Sequence, residues 1–447
     1  MTASRLLALL VTLALPIAAA WAQQAASAPA PRVRTIVTTD GEIDDQCSMV
    51  RYLLYTNEFE TLGLVHSSSI HHWQGDADHK ADSWQGTEWL DRQLDRYEQV
   101  HPSLVRHDGR YPTADALRKL VFVGNVAYPG EMASPTPGSR RIVEVLLDGD
   151  PRPVWLQAWG GVNTIARALK TIQDEHPQRM DDVSAKTIIY LIDLQDDTYE
   201  KYIAPNWPKL RVILDKGQFS AIGYDWRRHI PKRLRTYFEG PWMQASILRD
   251  HGPLCAGYES RHGRFVSEGD SPAFMHLIPT GLRTLEDPSF GGWGGRFAPD
   301  GPALHKDASD DDSRFKPIWR WADAFQNDWA ARADWCVKSP DQANHPPRVR
   351  LGHAADLSAR PGQTLTLSVE GSDGDGDTLS YRWWQYVGPG SYPGKVAIDN
   401  PDAPQATLRV PEDLAPGQTI HLICQVRDDG QPPLTRYARV IVHGANP

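Results

Sequence analysis

Residues 33–45 read VRTIVTTDGEIDD, and the reading of this stretch decides the fold. Val33 to Thr39 is a β-branched run with the pattern of a strand buried on both faces of a parallel sheet. It ends abruptly in Asp40-Gly41-Glu42-Ile43-Asp44-Asp45, three aspartates and a glutamate within six residues. In open α/β sheets ligands collect at the C-terminal strand ends, so a polar cluster here is a candidate site. Carboxylates at this density repel one another unless a cation neutralises them. Hard oxygen donors suit Ca2+ or Mg2+ rather than a soft metal. A carboxylate beside such a cation can orient and deprotonate water. The competing reading is a solvated acidic turn, because the spacing is not that of an EF-hand loop.

Working outward, residues 48–54 read as a helix and 61–67 as the next strand. Further strand-like runs lie at 120–123, 154–158, 187–192 and 212–214, with helical stretches at 140–147, 163–176 and 243–250. Strands alternating with helices predict an α/β domain with an open, mostly parallel sheet flanked by helices. The texture changes near residue 340. Ser339-Pro340 and Asn344-His345-Pro346-Pro347 form a stiff polar linker, followed by LTLSVEGSD, LSYRWWQY, ATLRV, TIHLICQVRDD and TRYARVIVHG between Gly/Pro/Asp turns. That pattern predicts a small all-β immunoglobulin-like sandwich. The expected organisation is a signal peptide at 1–22, a spacer at 23–32, the α/β domain at 33–338, a linker at 339–346 and the sandwich at 347–447.

The leader is read from Arg5, the apolar stretch Leu6–Ala20 and the small-x-small site Ala20-Trp21-Ala22. Cleavage after Ala22 predicts a secreted or periplasmic protein with no membrane association afterwards. The chain has 447 residues with 47 Lys+Arg against 56 Asp+Glu, a net charge of -9. This balance offers no basic surface for phosphate backbones, so nucleic acid is excluded as a partner. Cys47, Cys255, Cys336 and Cys424 are scattered without a C-x-x-C, which excludes a disulfide scaffold and a zinc ribbon. A Cys255–Cys336 bridge is one option, and Cys424 reads as a buried thiol.

Three motifs together carry a family resemblance. VTTDGEIDD resembles the calcium-holding D-x-G-x-D-D signature of the nucleoside hydrolases, with Glu42 in place of the family's glycine. Residues 154–166, VWLQAWGGVNTIA, resemble the family's strand followed by G-P-L-T-N-[IL]-A. Glu268-Gly269-Asp270-Ser271-Pro272 resembles its late H-D-P segment. The chain is more closely similar to a secreted, cellulose-binding branch of that superfamily, which adds a C-terminal immunoglobulin-like module. Gln195-Asp196-Asp197, residues 268–272 and Gly291-Gly292-Trp293-Gly294-Gly295-Arg296 match that branch better than the classical enzymes.

The resemblance implies a nucleoside-hydrolase-like fold and a bound Ca2+. It implies Asp40 as calcium ligand and general base, Asp45 and Asp270 as further ligands, and the backbone carbonyl of Asn163 as another. Asp44 is implied to hold sugar hydroxyls, and Ser68 or Ser69 to stand near the family's ribose-binding asparagine. Homo-oligomers are common among related hydrolases. The family's histidine before the late aspartate is Gly269 here, and Glu268 is the candidate substitute acid.

Other constellations add candidate contacts. His71, His72 and Trp73 follow the second strand and suit a pocket wall; His71-His72 with Asp76 is alternatively a transition-metal site. Gln195, Asp196 and Asp197 follow another strand and suit sugar contacts, with helix capping as the alternative. Asn206-Trp207 and Trp293 are candidate stacking surfaces, with Arg296 a partner for an acid or hydroxyl. Ser372 to Trp384 resembles polycystic-kidney-disease-type and cadherin-like repeats, whose acidic turn suits calcium. One of Trp383 and Trp384 is expected in the sandwich core and the other outside, where a Trp–Tyr surface suits glycan.

The leading functional expectation is a calcium-dependent hydrolase of extracellular glycosides. The alternatives are a non-catalytic carbohydrate-binding protein that keeps the calcium scaffold, and a true nucleoside N-ribohydrolase.

Overall fold

The run Val33–Thr39 forms strand β1 of an eight-stranded sheet. The other strands are β2 (Phe59–His66), β3 (Val121–Val123), β4 (Val154–Ala158), β5 (Thr187–Ile192), β6 (Arg211–Asp215), β7 (Phe297–Pro299) and β8 (Leu304–Asp307), in the spatial order β3-β2-β1-β4-β5-β6-β8-β7. Every pairing is parallel except that of the edge strand β7 with β8. β1, β4 and β5 are central and buried along nearly their whole length, which is why their sequences read as continuous apolar runs. One core lies on each face of the sheet, with Ile36, Leu156 and Ile189 in one and Val37, Trp155 and Tyr190 in the other. This computed structural model describes residues 31–224, 226–258 and 268–446. The expected signal peptide lies outside the described residues, among which no helix is long and apolar enough to cross a membrane.

The first helix begins earlier than the sequence suggested, at Ile43, so Asp44 and Asp45 occupy its first turn. Acids are favoured there by the helix dipole, and the acidic stretch is therefore half loop and half helix. The helix predicted at 243–250 is instead a helical turn at Gly240–Met243 followed by a wider π-type turn at Gln244–Leu248.

Beyond the linker, strands β9 (Arg348–Leu351), β10 (Asp356–Ala359), β11 (Thr364–Ser372), β12 (Ser380–Gln385), β13 (Ile398–Asp399), β14 (Gln405–Arg409), β15 (Thr419–Arg427) and β16 (Thr435–Gly444) form two four-stranded sheets. Their orders are β10-β16-β15-β12 and β13-β14-β11-β9, a sandwich with Trp383, Leu422 and Val440 in its core. Trp384 is half-buried and lines a cavity of about 470 Å³ together with Trp319, Trp321 and Tyr437. It packs against Trp321 and Tyr386, with the Arg320 guanidinium 5.0 Å from its ring. The apolar core of the α/β part continues into the sandwich through Tyr386, Ile423 and Tyr437. All four cysteines are buried free thiols, so Cys255 and Cys336 are not bridged.

A buried polar knot ties the two parts. Asp328, on the helix Ala322–Trp335, accepts from Tyr55 (2.8 Å), Arg332 (3.1 Å) and the sandwich residue Arg436 (2.7 Å). Burial raises the Asp328 pKa and the two guanidinium groups lower it more, leaving it at about 2. A depressed carboxylate stabilises the fold above its unfolded pKa of about 3.9 and loses that contribution as pH falls towards 2. Stability measured by urea unfolding is therefore expected to fall between about pH 4 and pH 2. Asp328→Ala leaves the buried Arg332 and the partly buried Arg436 short of a partner, and its expected cost is about 3–5 kcal/mol. An unchanged urea midpoint in Asp328→Ala would show that the knot does not stabilise the fold.

Candidate functional site

The carboxylates converge at the C-terminal rim of the sheet. Asp40 ends β1 and is only 2% exposed. Its Oδ1 accepts from the Glu42 amide at 3.3 Å, while Oδ2 is buried without a hydrogen-bond partner. Gly41 makes the turn possible. Its φ is +78°, and a Cβ there would stand 2.6 Å from Trp89 Nε1. Asp44, Asp45 and Asp270 are all buried, and one carboxylate oxygen from each lies within 4.8 Å of the others. Thr39 donates to Asp45, and Asp270 begins the short helix Ser271–Met275. Asp270 Oδ2 is a second buried oxygen without a hydrogen-bond partner.

Electrostatics mark the strain of this arrangement. Burial, then the charges of Glu42 and Asp40, push Asp44 up to about 8. Burial and neighbouring carboxylates also hold Asp45 and Asp270 well above the ordinary range. Their lone pairs converge and their charges repel, the donor set of a hard divalent cation. This cluster, with the charge of Asp40 acting on Asp45 beside it, suits the calcium that the resemblance implies.

Above the carboxylates lies a cavity of about 290 Å³ bordered by Glu42, Asp44, His71, Trp159, Gln195 and Tyr224, among others. The Tyr224 hydroxyl is 2.5 Å from Glu42 Oε1 and 3.0 Å from Asp44 Oδ1. Phe219, Tyr224 and Asp193 were not anticipated from the sequence. The first two arrive from a segment some 180 residues after Asp40, with no local motif to mark them. Asp193 directly follows β5, and its position at a strand end was the available signal.

The other anticipated residues divide. Gln195 borders the cavity and donates to the carbonyls of Trp159 and Ile192. Ser69 Oγ accepts the backbone N–H groups of His71 and His72 and so shapes the turn that presents them. Ser68 is buried, donating to the Asn125 and Tyr128 carbonyls and accepting from Asn163 Nδ2. The Asn163 side chain also donates to the Asn125 and Glu131 carbonyls, and its amide donates to Asp196 at 2.9 Å.

Several expectations are corrected. Asp196 is a buried clamp that accepts from Asn163 and Thr198 rather than a sugar contact. Asp197 is exposed and pairs with Lys201. Asn206 donates to the Tyr202 carbonyl within its own turn, and Trp207 is buried. Trp293 is 1% exposed and packs at the sandwich seam beneath Arg436. Arg296 is buried against Asp310 at 2.9 Å. Neither presents a surface to sugar. Glu268 is buried 3.5 Å from Arg51 and accepts from Ser271 at 2.9 Å, so it is not aimed into the cavity as a substitute acid. Asp76 turns to His79 at 2.8 Å rather than to the adjacent histidines. The acidic turn of the sandwich brings Asp373, Asp375 and Asp377 within 4.8 Å at a partly exposed position.

Gly269 is a structural departure as well as a chemical one. A Cβ at 269 would lie 2.7 Å from Asp44 Oδ2 and 3.3 Å from Phe219. A histidine there is incompatible with the observed place of Asp44.

The fold and the carboxylate pocket define a nucleoside-hydrolase-like α/β protein. The chain belongs to the family described as cellulose-binding Sde182, nucleoside hydrolase-like domain, whose model matches residues 34–297. Residues 364–444 match the C-terminal domain of cellulose-binding protein Sde0182. A solved nucleoside hydrolase-related hypothetical protein from Saccharophagus degradans, described as associated with carbohydrate metabolism, is similar over 93% of this chain and 100% of its own. Its identity is 30% and its TM-score 0.78. The PKD domain of the KIAA 1837 protein covers 22% of this chain and 89% of its own at 22% identity and TM-score 0.17. The effector protein XOO4466 covers 69% of this chain and 95% of its own at 11% identity and TM-score 0.37. No curated protein matches the chain.

Replacing Gly41 tests the rim geometry. Gly41→Ala forces a Cβ into the left-handed region and against Trp89, with an expected cost of about 1–3 kcal/mol in urea unfolding. An unchanged midpoint would show that the loop relaxes freely.

Proposed function

We propose that the protein is a secreted, calcium-dependent glycoside hydrolase that directs water at the anomeric carbon of a furanoside or a plant or microbial glycan fragment. The observation that carries this reading is the buried set Asp44, Asp45 and Asp270 beneath a cavity that fits one sugar ring. Asp40, Asp45, Asp270 and the Asn163 carbonyl would hold the calcium. When bound, the cation supplies charge neutralisation and Lewis-acid polarisation of water and sugar hydroxyls. Asp40 accepts the proton of the attacking water. Asp44 holds the sugar hydroxyls, and Trp159, Phe219 and Tyr224 exclude bulk water from the ring. The surrounding carboxylates stabilise the oxocarbenium-like transition state.

The second reading is a non-catalytic carbohydrate-binding protein, the family being described as cellulose-binding. Gly269 and the Arg51-bound Glu268 favour it, because glycine offers no acid and Glu268 does not border the cavity. The same two residues count against a nucleoside N-ribohydrolase, whose departing base relies on such an acid.

The test is sugar release by the mature chain from nucleosides, aryl furanosides, aryl pyranosides and polysaccharide oligomers in Ca2+. Release is expected from a non-nucleoside substrate, abolished by chelation and lowered about 10²–10⁴-fold in Asp40→Asn. No release from any substrate while calorimetry still detects bound Ca2+ would establish the binding reading instead.

A further inference from the structure

We infer that a second divalent cation site, of mixed nitrogen and oxygen character, lies beside the proposed calcium position and is formed by Asp40, Glu42 and His72. One ligand atom from each of the three residues lies within 4.8 Å of the others. His72 Nδ1 is 3.8 Å from Asp40 Oδ2 and 3.8 Å from Glu42 Oε2. Those separations are too long for hydrogen bonds, which need about 3 Å between heavy atoms. They match two ligands of one cation, since metal–nitrogen and metal–oxygen bonds of about 2.0–2.2 Å place neighbouring ligand atoms roughly 3–4 Å apart.

The second observation is the state of the atoms themselves. Asp40 is 98% buried by its 2% exposure, and its Oδ2, aimed at His72, is without a hydrogen-bond partner. His72 Nδ1 is likewise buried and unpartnered. A buried carboxylate oxygen facing a buried imidazole nitrogen at this distance leaves both desolvated and uncompensated, a costly arrangement that a shared cation relieves.

The three groups are held in place. Tyr224 occupies Glu42 Oε1 and leaves Oε2 towards His72. Ser69 fixes the turn by accepting the His72 amide at 3.2 Å and donating its own amide to the His72 carbonyl at 2.9 Å. An imidazole with two carboxylates selects Zn2+, Mn2+, Fe2+ or Co2+ over the all-oxygen preference of Ca2+. Three protein ligands leave a coordination position open for water or a sugar hydroxyl. Glu42 stands where the nucleoside hydrolase signature has glycine, so its carboxylate is an addition to that signature. The inference rests on the geometry of these three side chains and stands whether or not the neighbouring carboxylates hold calcium.

The test titrates Co2+ into the Ca2+-saturated mature chain, reading the visible ligand-field bands and metal content by mass spectrometry. One Co2+ per chain is expected without loss of Ca2+. His72→Ala and Glu42→Gln should each weaken Co2+ binding by about 100-fold or more, since loss of a group that merely hydrogen-bonds to a metal ligand already costs about 10–100-fold. Circular dichroism and Ca2+ content should be unchanged in both variants, and His79→Ala, at an exposed imidazole outside the group, should bind Co2+ like the parent. Co2+ that displaces Ca2+ one for one, or that binds His72→Ala as tightly as the parent, overturns the inference. So does a Ca2+-saturated parent that takes up no Co2+. Co2+ binding in a chain that takes up no Ca2+ would keep this site and remove the calcium of the proposed function.

Discussion

The mutual repulsion of carboxylates buried at one end of β1 is the constraint around which the α/β part is arranged. Asp40, Asp44, Asp45 and Asp270 come from a strand end, a helix start and a second helix start, yet they meet at one place. Buried charges this close are expensive without a compensating cation, and burial with mutual repulsion drives Asp44, Asp45 and Asp270 towards protonation. The surroundings blunt the cost only in part. Thr39 donates to Asp45, the helix dipole favours acids in its first turn, and Gly41 lets the chain turn against Trp89. A fold tolerates such a site when function requires it, and the rest of the molecule supplies the stability.

The seam with the sandwich is one source of that stability. Asp328 joins three elements through Tyr55, Arg332 and Arg436, and Trp321 meets Trp384, Tyr386 and Tyr437 in one aromatic contact region. The glycine-rich loop before Arg296 belongs to this seam. Its small residues bring the backbone close, Trp293 fills the gap, and Arg296 is consumed by Asp310. Residues that look on paper like a sugar platform are therefore packing groups.

The pocket differs from the nucleoside hydrolase pattern in a correlated way. Gly269 removes a histidine and leaves room for Asp44, while Glu42 adds a carboxylate that Tyr224 and His72 approach from other segments. Both changes lie at the acidic rim of the cavity, where Glu42 and Asp44 border it.

The sequence by itself determined the sheet, the sandwich and the acidic rim. Each depends on local signals: β-branched runs for β1, β4 and β5, period-two alternation beyond residue 347, and four acids packed directly after a strand. Gly269 was also legible, because a missing histidine shows in a motif. Only the tertiary structure decided which way the remaining side chains face. Trp293, Arg296 and Glu268 are polar or amphipathic residues next to motif positions, and their partners Arg436, Asp310 and Arg51 are distant in sequence. Tyr224 and Phe219 enter the pocket, and His72 turns to Asp40 and Glu42 instead of Asp76, for the same reason. Strand and turn propensities act over a few residues, whereas a site is assembled by packing between segments that the local sequence does not encode.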